Sequence, residues 1–129
     1  MSGIKRYGAG KFNVAGINMP FAKAAEANGW LFVSGQVPME DGEIIEGGIV
    51  PQTHKAIQNM LSILEEAGYE KEHIVRCGVW LDDPRDFWTF NKVYASYFGG
   101  EHAPARACVQ ATMMVDCKVE IECVCYKSS

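Results

Sequence analysis

The chain has 129 residues, 48% hydrophobic, 11% aromatic and 22% charged, with a formal net charge of −4. That length fits a single domain over residues 1–129 with a core that needs no disulfide or metal staple. The acidic balance argues against a nucleic-acid partner, which needs a basic stripe, and no apolar run is long enough to cross a membrane.

In chain order, residues 1–20 are rich in glycine, with Asn13, Asn18 and Pro20, and a short strand is expected at Ile4-Lys5-Arg6-Tyr7. The start, Met1-Ser2-Gly3-Ile4-Lys5-Arg6, lacks the apolar core of a signal peptide. A hairpin follows: Phe21 to Ala27, the turn Asn28-Gly29, then Trp30-Leu31-Phe32-Val33. This strand runs into Ser34-Gly35-Gln36, where Gly35 permits a bend or a close approach. Residues 38–48, acidic and glycine-rich, read as a surface loop.

Pro51 suits the first turn of a helix. Ile57, Met60, Leu61 and Leu64 repeat at helical spacing, and Gly68 is the expected stop. Ile74 to Leu81 alternates as a strand, with Val75, Cys77, Val79 and Leu81 on one face and Arg76, Gly78 and Trp80 on the other. Asp83-Pro84 opens a second helix with Asp83 as its cap. The stripe Phe87, Phe90, Tyr94, Tyr97 and Phe98 reads as core rather than as a cofactor box. Two strands close the chain, from Arg106 to about Met113 and, after a turn near Asp116, from Cys117 to Tyr126. The order β-β-α-β-α-β-β defines an α+β layer with both helices on one side of a sheet. The alternating apolar residues of the other side need cover, which a second copy of the chain would supply.

The chemistry concentrates at Ala103-Pro104-Ala105-Arg106-Ala107-Cys108-Val109-Gln110. Pro104 can open a strand without giving up a ladder bond, and alternation sends Arg106, Cys108 and Gln110 one way. A guanidinium is a planar fork suited to gripping a carboxylate or phosphate. The alternative is a structural Arg paired with Glu120 or Glu122. Those two acids share one face of the last strand, where they repel unless a cation or water meets them. The five cysteines, Cys77, Cys108, Cys117, Cys123 and Cys125, are odd in number and fit free thiols in the cytoplasm. His54, His73 and His102 share no metal spacing with them. Cys123 and Cys125 read as core, His102 as a solvated loop residue, and Cys108 as a backbone contributor rather than a nucleophile.

Taken together, the motifs resemble the Rid (YjgF) family of reactive-intermediate deaminases from about Pro20 to Tyr126. The resemblance rests on Val33-Ser34-Gly35-Gln36-Val37-Pro38 and on Gln52-Thr53 opening a helix that ends Glu66-Ala67-Gly68. It rests further on Phe90-Asn91-Lys92-Val93-Tyr94, and on Pro104-Ala105-Arg106-Ala107-Cys108-Val109 with Val119-Glu120-Ile121-Glu122. It implies a chorismate-mutase-like α+β fold with a mixed sheet, assembled as a homotrimer with clefts between subunits. It also implies hydrolysis of enamines and imines of 2-amino acids to 2-keto acids and ammonia. Arg106 would grip the substrate carboxylate and Glu120 would orient the attacking water. Backbone groups around Cys108 would assist, and Ser34 and Asn91 would line the cleft. Phe21 stands where the best-known branch often has Tyr, and Ala107 where it often has Ser, so the chain resembles a different branch. An iminium carbon is already electrophilic, so neither metal nor cofactor is called for.

Overall fold

Local chemistry sets the elements of the computed structural model, which describes residues 2–10, 13–14 and 16–129. The strands are β1 Lys5–Tyr7, β2 Asn13–Val14, β3 Ile17–Asn18, β4 Ala24–Ala27, β5 Trp30–Gln36, β6 Met39–Glu40 and β7 Glu43–Ile44. Then come helix α1 Ile49–Ala67, β8 Ile74–Leu81, helix α2 Phe87–Phe98, β9 Ala105–Gln110 and β10 Val119–Tyr126. Asn28 and Gly29 close the β4–β5 hairpin with φ of 50° and 85°, the left-handed pair that a two-residue turn requires. Gly68 ends α1 at φ 82°. Its N–H donates to Glu65 O at 3.1 Å and that of Tyr69 to Leu64 O at 2.8 Å, which satisfies carbonyls the helix leaves free.

Among the described residues one six-stranded sheet runs β1-β4-β5-β10-β8-β9. Its pairings are antiparallel except β8 with β9, which are parallel. A parallel neighbour needs a long crossover, and α2 supplies it. The sheet is therefore mixed, with β9 as one edge. Along β10, Val119, Ile121, Cys123 and Cys125 are buried while Glu120, Glu122 and Val124 are half-buried. The buried set packs with Ile57, Met60 and Leu64 of α1 and Phe90 and Tyr94 of α2 in one core, so both helices lie on one face. The opposite face leaves Trp30, Phe32, Val109 and Tyr126 exposed.

The structure departs from the sequence reading in several places. The first strand of the Asn28-Gly29 hairpin begins at Ala24, not Phe21. Residues 38–48 hold a small hairpin, β6–β7, closed by Asp41 and Gly42 at φ 52° and 82°. Strands of two residues are too short to show alternation, although Asp-Gly is hairpin chemistry. Asp83 caps a 3₁₀ turn, Pro84–Asp86, rather than α2 itself, which starts at Phe87. Val75 is exposed rather than aligned with Cys77, because the ladder to β10 shifts register between Val124 and Cys125 and Ile74 takes the inward place. The strand from Arg106 ends at Gln110, not near Met113. The last strand begins at Val119, not Cys117: Lys118 N donates to Gln52 Oε1 at 2.8 Å instead of to a ladder.

Candidate functional site

Strand β9 brings the first group of candidate residues to the sheet edge. Its register places Arg106 beside Cys77 and Cys108 beside Val79, so both side chains lie on the helix face. Ala111 N donates to Leu81 O at 2.9 Å, and a parallel ladder uses alternate residues. The N–H and C=O groups of Arg106, Cys108 and Gln110 are therefore directed away from β8, toward the open edge. An edge strand offers such unpaired groups to whatever docks there.

Arg106 is half-buried and its Nη1 donates to Asn91 Oδ1 at 2.6 Å. Its Cζ lies 4.8 Å from the ring centre of Tyr94 and 5.7 Å from those of Phe87 and Phe90. No acid among the described residues forms an ion pair with it; Glu122 lies 3.9 Å from Arg76 instead. The structural alternative, Arg106 paired with Glu120 or Glu122, does not form within the chain. Five guanidinium N–H donors face one amide acceptor, which leaves most of the fork for an external anion. The Cys108 thiol shares this edge. Burial pushes its pKa up, and the Arg106 charge pulls it down by less, so the thiolate a nucleophile needs is disfavoured.

The second group lies on the other face of the sheet. Glu120 stands opposite Trp80 and Glu122 opposite Gly78, on the side away from the helices. Between β5 and β10 the register shifts, so that Ser34 and Gly35 together oppose Glu122. This brings the Gly35 backbone against the Glu120 carboxylate: a Cβ at Gly35 would overlap Glu120 Oε2 and lie 3.1 Å from Cδ. A side chain at Gly35 would therefore displace the Glu120 carboxylate from this position. Ser34 Oγ donates to Ala22 O at 2.6 Å and Ser34 N to Lys23 O at 2.9 Å, which fixes the segment that carries the exposed Phe21. Burial first, and the neighbouring Glu122 charge second, raise the Glu120 pKa above that of an ordinary glutamate.

The candidates therefore fall into two sets. Arg106, Asn91 and Cys108 meet at the β9–α2 edge, whereas Glu120, Ser34 and Phe21 belong to the β5–β10 side. The sheet itself separates Arg106 from Glu120 in one chain. Sequence reasoning missed the rings beneath Arg106, since Phe87, Phe90 and Tyr94 read as core. The available signal was Asn91, a polar residue inside an aromatic stripe spaced i, i+3, i+4, i+7. Cys123 and Cys125 are buried in the core, and His102 is exposed with Nε2 3.7 Å from Glu101. No group of three or more His, Cys, Asp or Glu among the described residues is placed to hold a metal ion.

Fold and site together define a class: a two-helix α+β domain with an acid-free guanidinium at the parallel edge of its sheet and a half-buried carboxylate on the far face. A family model described as Endoribonuclease L-PSP matches residues 15–127, and the chain belongs to that family, the YjgF/Rid family. A RutC family protein of Pyrococcus horikoshii is 40% identical over 111 residues, 84% of this chain and 87% of its own. A mouse 2-iminobutanoate/2-iminopropanoate deaminase is 35% identical over 108 residues, 81% of this chain and 79% of its own. The solved structure of E. coli TdcF with bound serine superposes with a TM-score of 0.78 at 31% identity, covering 85% of this chain and 90% of that one.

Proposed function

We propose that this protein hydrolyses 2-imino and 2-amino-enoic acids to 2-keto acids and ammonia, in clefts between the copies of a homotrimer. The observation that carries the reading is Arg106: a guanidinium with no acid partner among the described residues, held by Asn91 and three rings at an open sheet edge. Such a fork fits a carboxylate. The similarity to the mouse deaminase supports the same chemistry.

In this reading the substrate carboxylate sits on Arg106, with outward backbone groups near Cys108 beside it. Glu120 accepts a proton from water as the oxygen adds to C2 of the iminium. Glu120 then gives that proton to nitrogen and takes up the hydroxyl proton as the C2–N bond breaks, so that ammonia leaves as the C2 carbonyl forms. Arg106 and Glu120 lie on opposite faces of one sheet, so one small substrate reaches both only if they come from different copies. The exposed face bearing Trp30, Phe32, Val109 and Tyr126 supports that assembly. Ser34 and Phe21 would then reach the cleft with Glu120, and Asn91 and Cys108 with Arg106. Light scattering should give three times the 14.3 kDa chain mass. A monomer at micromolar concentration would remove the shared cleft.

The deaminase reading is tested by generating an imine with an amino-acid oxidase in the presence of semicarbazide. The protein should lower semicarbazone yield and raise free keto acid. An unchanged yield leaves the second reading, a non-catalytic small-carboxylate-binding or regulatory member of the same fold; the related E. coli TdcF has been solved with serine bound. A binder needs Arg106 but has no use for a half-buried Glu120. The net charge of −4 disfavours an RNA substrate. Among the described residues no helix is long and apolar enough to cross a membrane, and the five free thiols fit a reducing compartment, for which we take the cytoplasm.

The Glu120 environment gives a pH prediction. Its pKa is raised, so the acid limb of kcat/KM should lie above the range of an ordinary glutamate. Glu122→Gln removes the like charge, lowers the Glu120 pKa and moves that limb to lower pH. Burial, the larger cause, remains, so the limb should not return fully to the ordinary value. A limb that stays in place or moves upward on this substitution excludes Glu120 as the titrating base.

A further inference from the structure

We propose that Tyr94 is a positioning residue: its ring face, with those of Phe87 and Phe90, seats the Arg106 guanidinium so that its N–H edge stays open to a carboxylate. The proposal rests on the reading of Arg106 as the carboxylate-binding group and says how the fold prepares it. A cation on a sheet can be held in two ways. An acid partner would grip it through its in-plane N–H donors and so occupy the fork that a substrate needs. Aromatic faces attract it through the ring quadrupole and leave the in-plane donors free. Here the second arrangement is built. Phe87, Phe90 and Tyr94 project from one stripe of α2 toward Arg106, at 5.7, 5.7 and 4.8 Å from ring centre to Cζ. From the same stripe Asn91 takes only Nη1.

Tyr94 is the nearest ring and is 7% exposed. Its hydroxyl is buried, and the one polar group that faces it among the described residues is the Cys77 thiol, a weak hydrogen-bonding partner. A hydroxyl matched only by a thiol adds little to the fold. What Tyr94 contributes toward Arg106 is therefore its ring, and Phe should replace it. Phe90, 0% exposed, closes the seat from the core, while half-buried Phe87 forms its outer side.

The test uses the full chain with Tyr94→Phe, Tyr94→Leu and Phe87→Leu, the last lying nearer the surface and less costly to folding. Binding of 2-oxobutanoate is measured by calorimetry, KM and kcat with an oxidase-generated imine, and melting temperature on the same samples. Losing the ring should weaken 2-oxobutanoate binding and raise KM about five- to tenfold in Tyr94→Leu, the scale of a partly desolvated cation–π contact. The effect should be about twofold to fivefold in Phe87→Leu. Tyr94→Phe should restore the wild-type dissociation constant. A merely structural ring lowers the melting temperature and leaves the dissociation constant and KM of the folded protein unchanged in both leucine variants; that result overturns the proposal. So does a Tyr94→Phe variant as weak as Tyr94→Leu, or a wild-type protein that binds no 2-oxobutanoate. If wild type binds the keto acid, the leucine variants weaken it and no imine is hydrolysed, the deaminase reading falls and the seat stands. Turnover in wild type with unchanged leucine variants gives the reverse.

Discussion

Arg106→Lys should fold and assemble as the wild type does while its catalytic efficiency falls by roughly two orders of magnitude or more. Lysine keeps the charge but replaces a planar fork of five donors with a compact, strongly hydrated ammonium. In this protein the loss is compounded. The guanidinium is fixed at 2.6 Å to Asn91 Oδ1 and over three rings, and an ammonium on a flexible stem reproduces neither contact together with a two-point grip. If the substrate carboxylate is held loosely, C2 of the imine leaves its place against the water, and misplacement on the order of 1 Å can cost about a hundredfold. Stability should change little, because no acid among the described residues depends on Arg106 for its charge balance. Melting temperature and imine hydrolysis measured on the same samples separate the two contributions. A variant that melts early yet turns over normally once folded would show that Arg106 acts in the core and not on substrate. Arg106→Ala should lose activity further and no longer bind keto acids.

Glu120→Gln should retain keto-acid binding and lose about a hundredfold or more in kcat, the scale of a lost general base. The amide matches the carboxylate in shape, so it satisfies the space beside Gly35, but it cannot take the proton from water. The substrate carboxylate rests on Arg106 in this reading, and glutamine leaves that grip and the shape of the cleft unchanged, so the keto-acid affinity should hardly move. The same site can be damaged without touching the carboxylate. Gly35→Ala adds a Cβ where Glu120 Oε2 lies, so the side chain must swing away, and kcat should fall with it. Full activity in both variants would reduce Glu120 to a neighbour of the Arg76–Glu122 pair.

Much of this molecule is legible in the chain because its strongest signals are local. Asn28-Gly29 specifies a hairpin through its own left-handed φ angles. Gly68 stops α1 because only glycine takes that conformation without strain. The period-2 pattern of Val119 to Cys125 states which face is buried before any neighbour is known. Arg106 was legible as a candidate too, as a fork among small residues at a strand opening, although the stretch alone left a structural pairing with Glu120 or Glu122 equally open.

What the sequence could not state is what depends on register and on which surfaces meet. Two residues of β5 against one of β10 bring Gly35 under Glu120, and an extra residue in β8 turns Val75 outward against the alternation. Bulges have no period of their own and follow from pairing. The aromatic stripe of α2 has the spacing of an ordinary core face, and only its packing against β9 makes Phe87, Phe90 and Tyr94 a seat for a cation. The sequence by itself determined both helices, the long strands, most of their buried faces and the identity of the chemical groups, because these follow from neighbours along the chain. Tertiary structure alone decided that Arg106 and Glu120 stand on opposite sides of one sheet, because alternation fixes a side chain only relative to its own strand, and the β8 ladders fix the strands relative to each other.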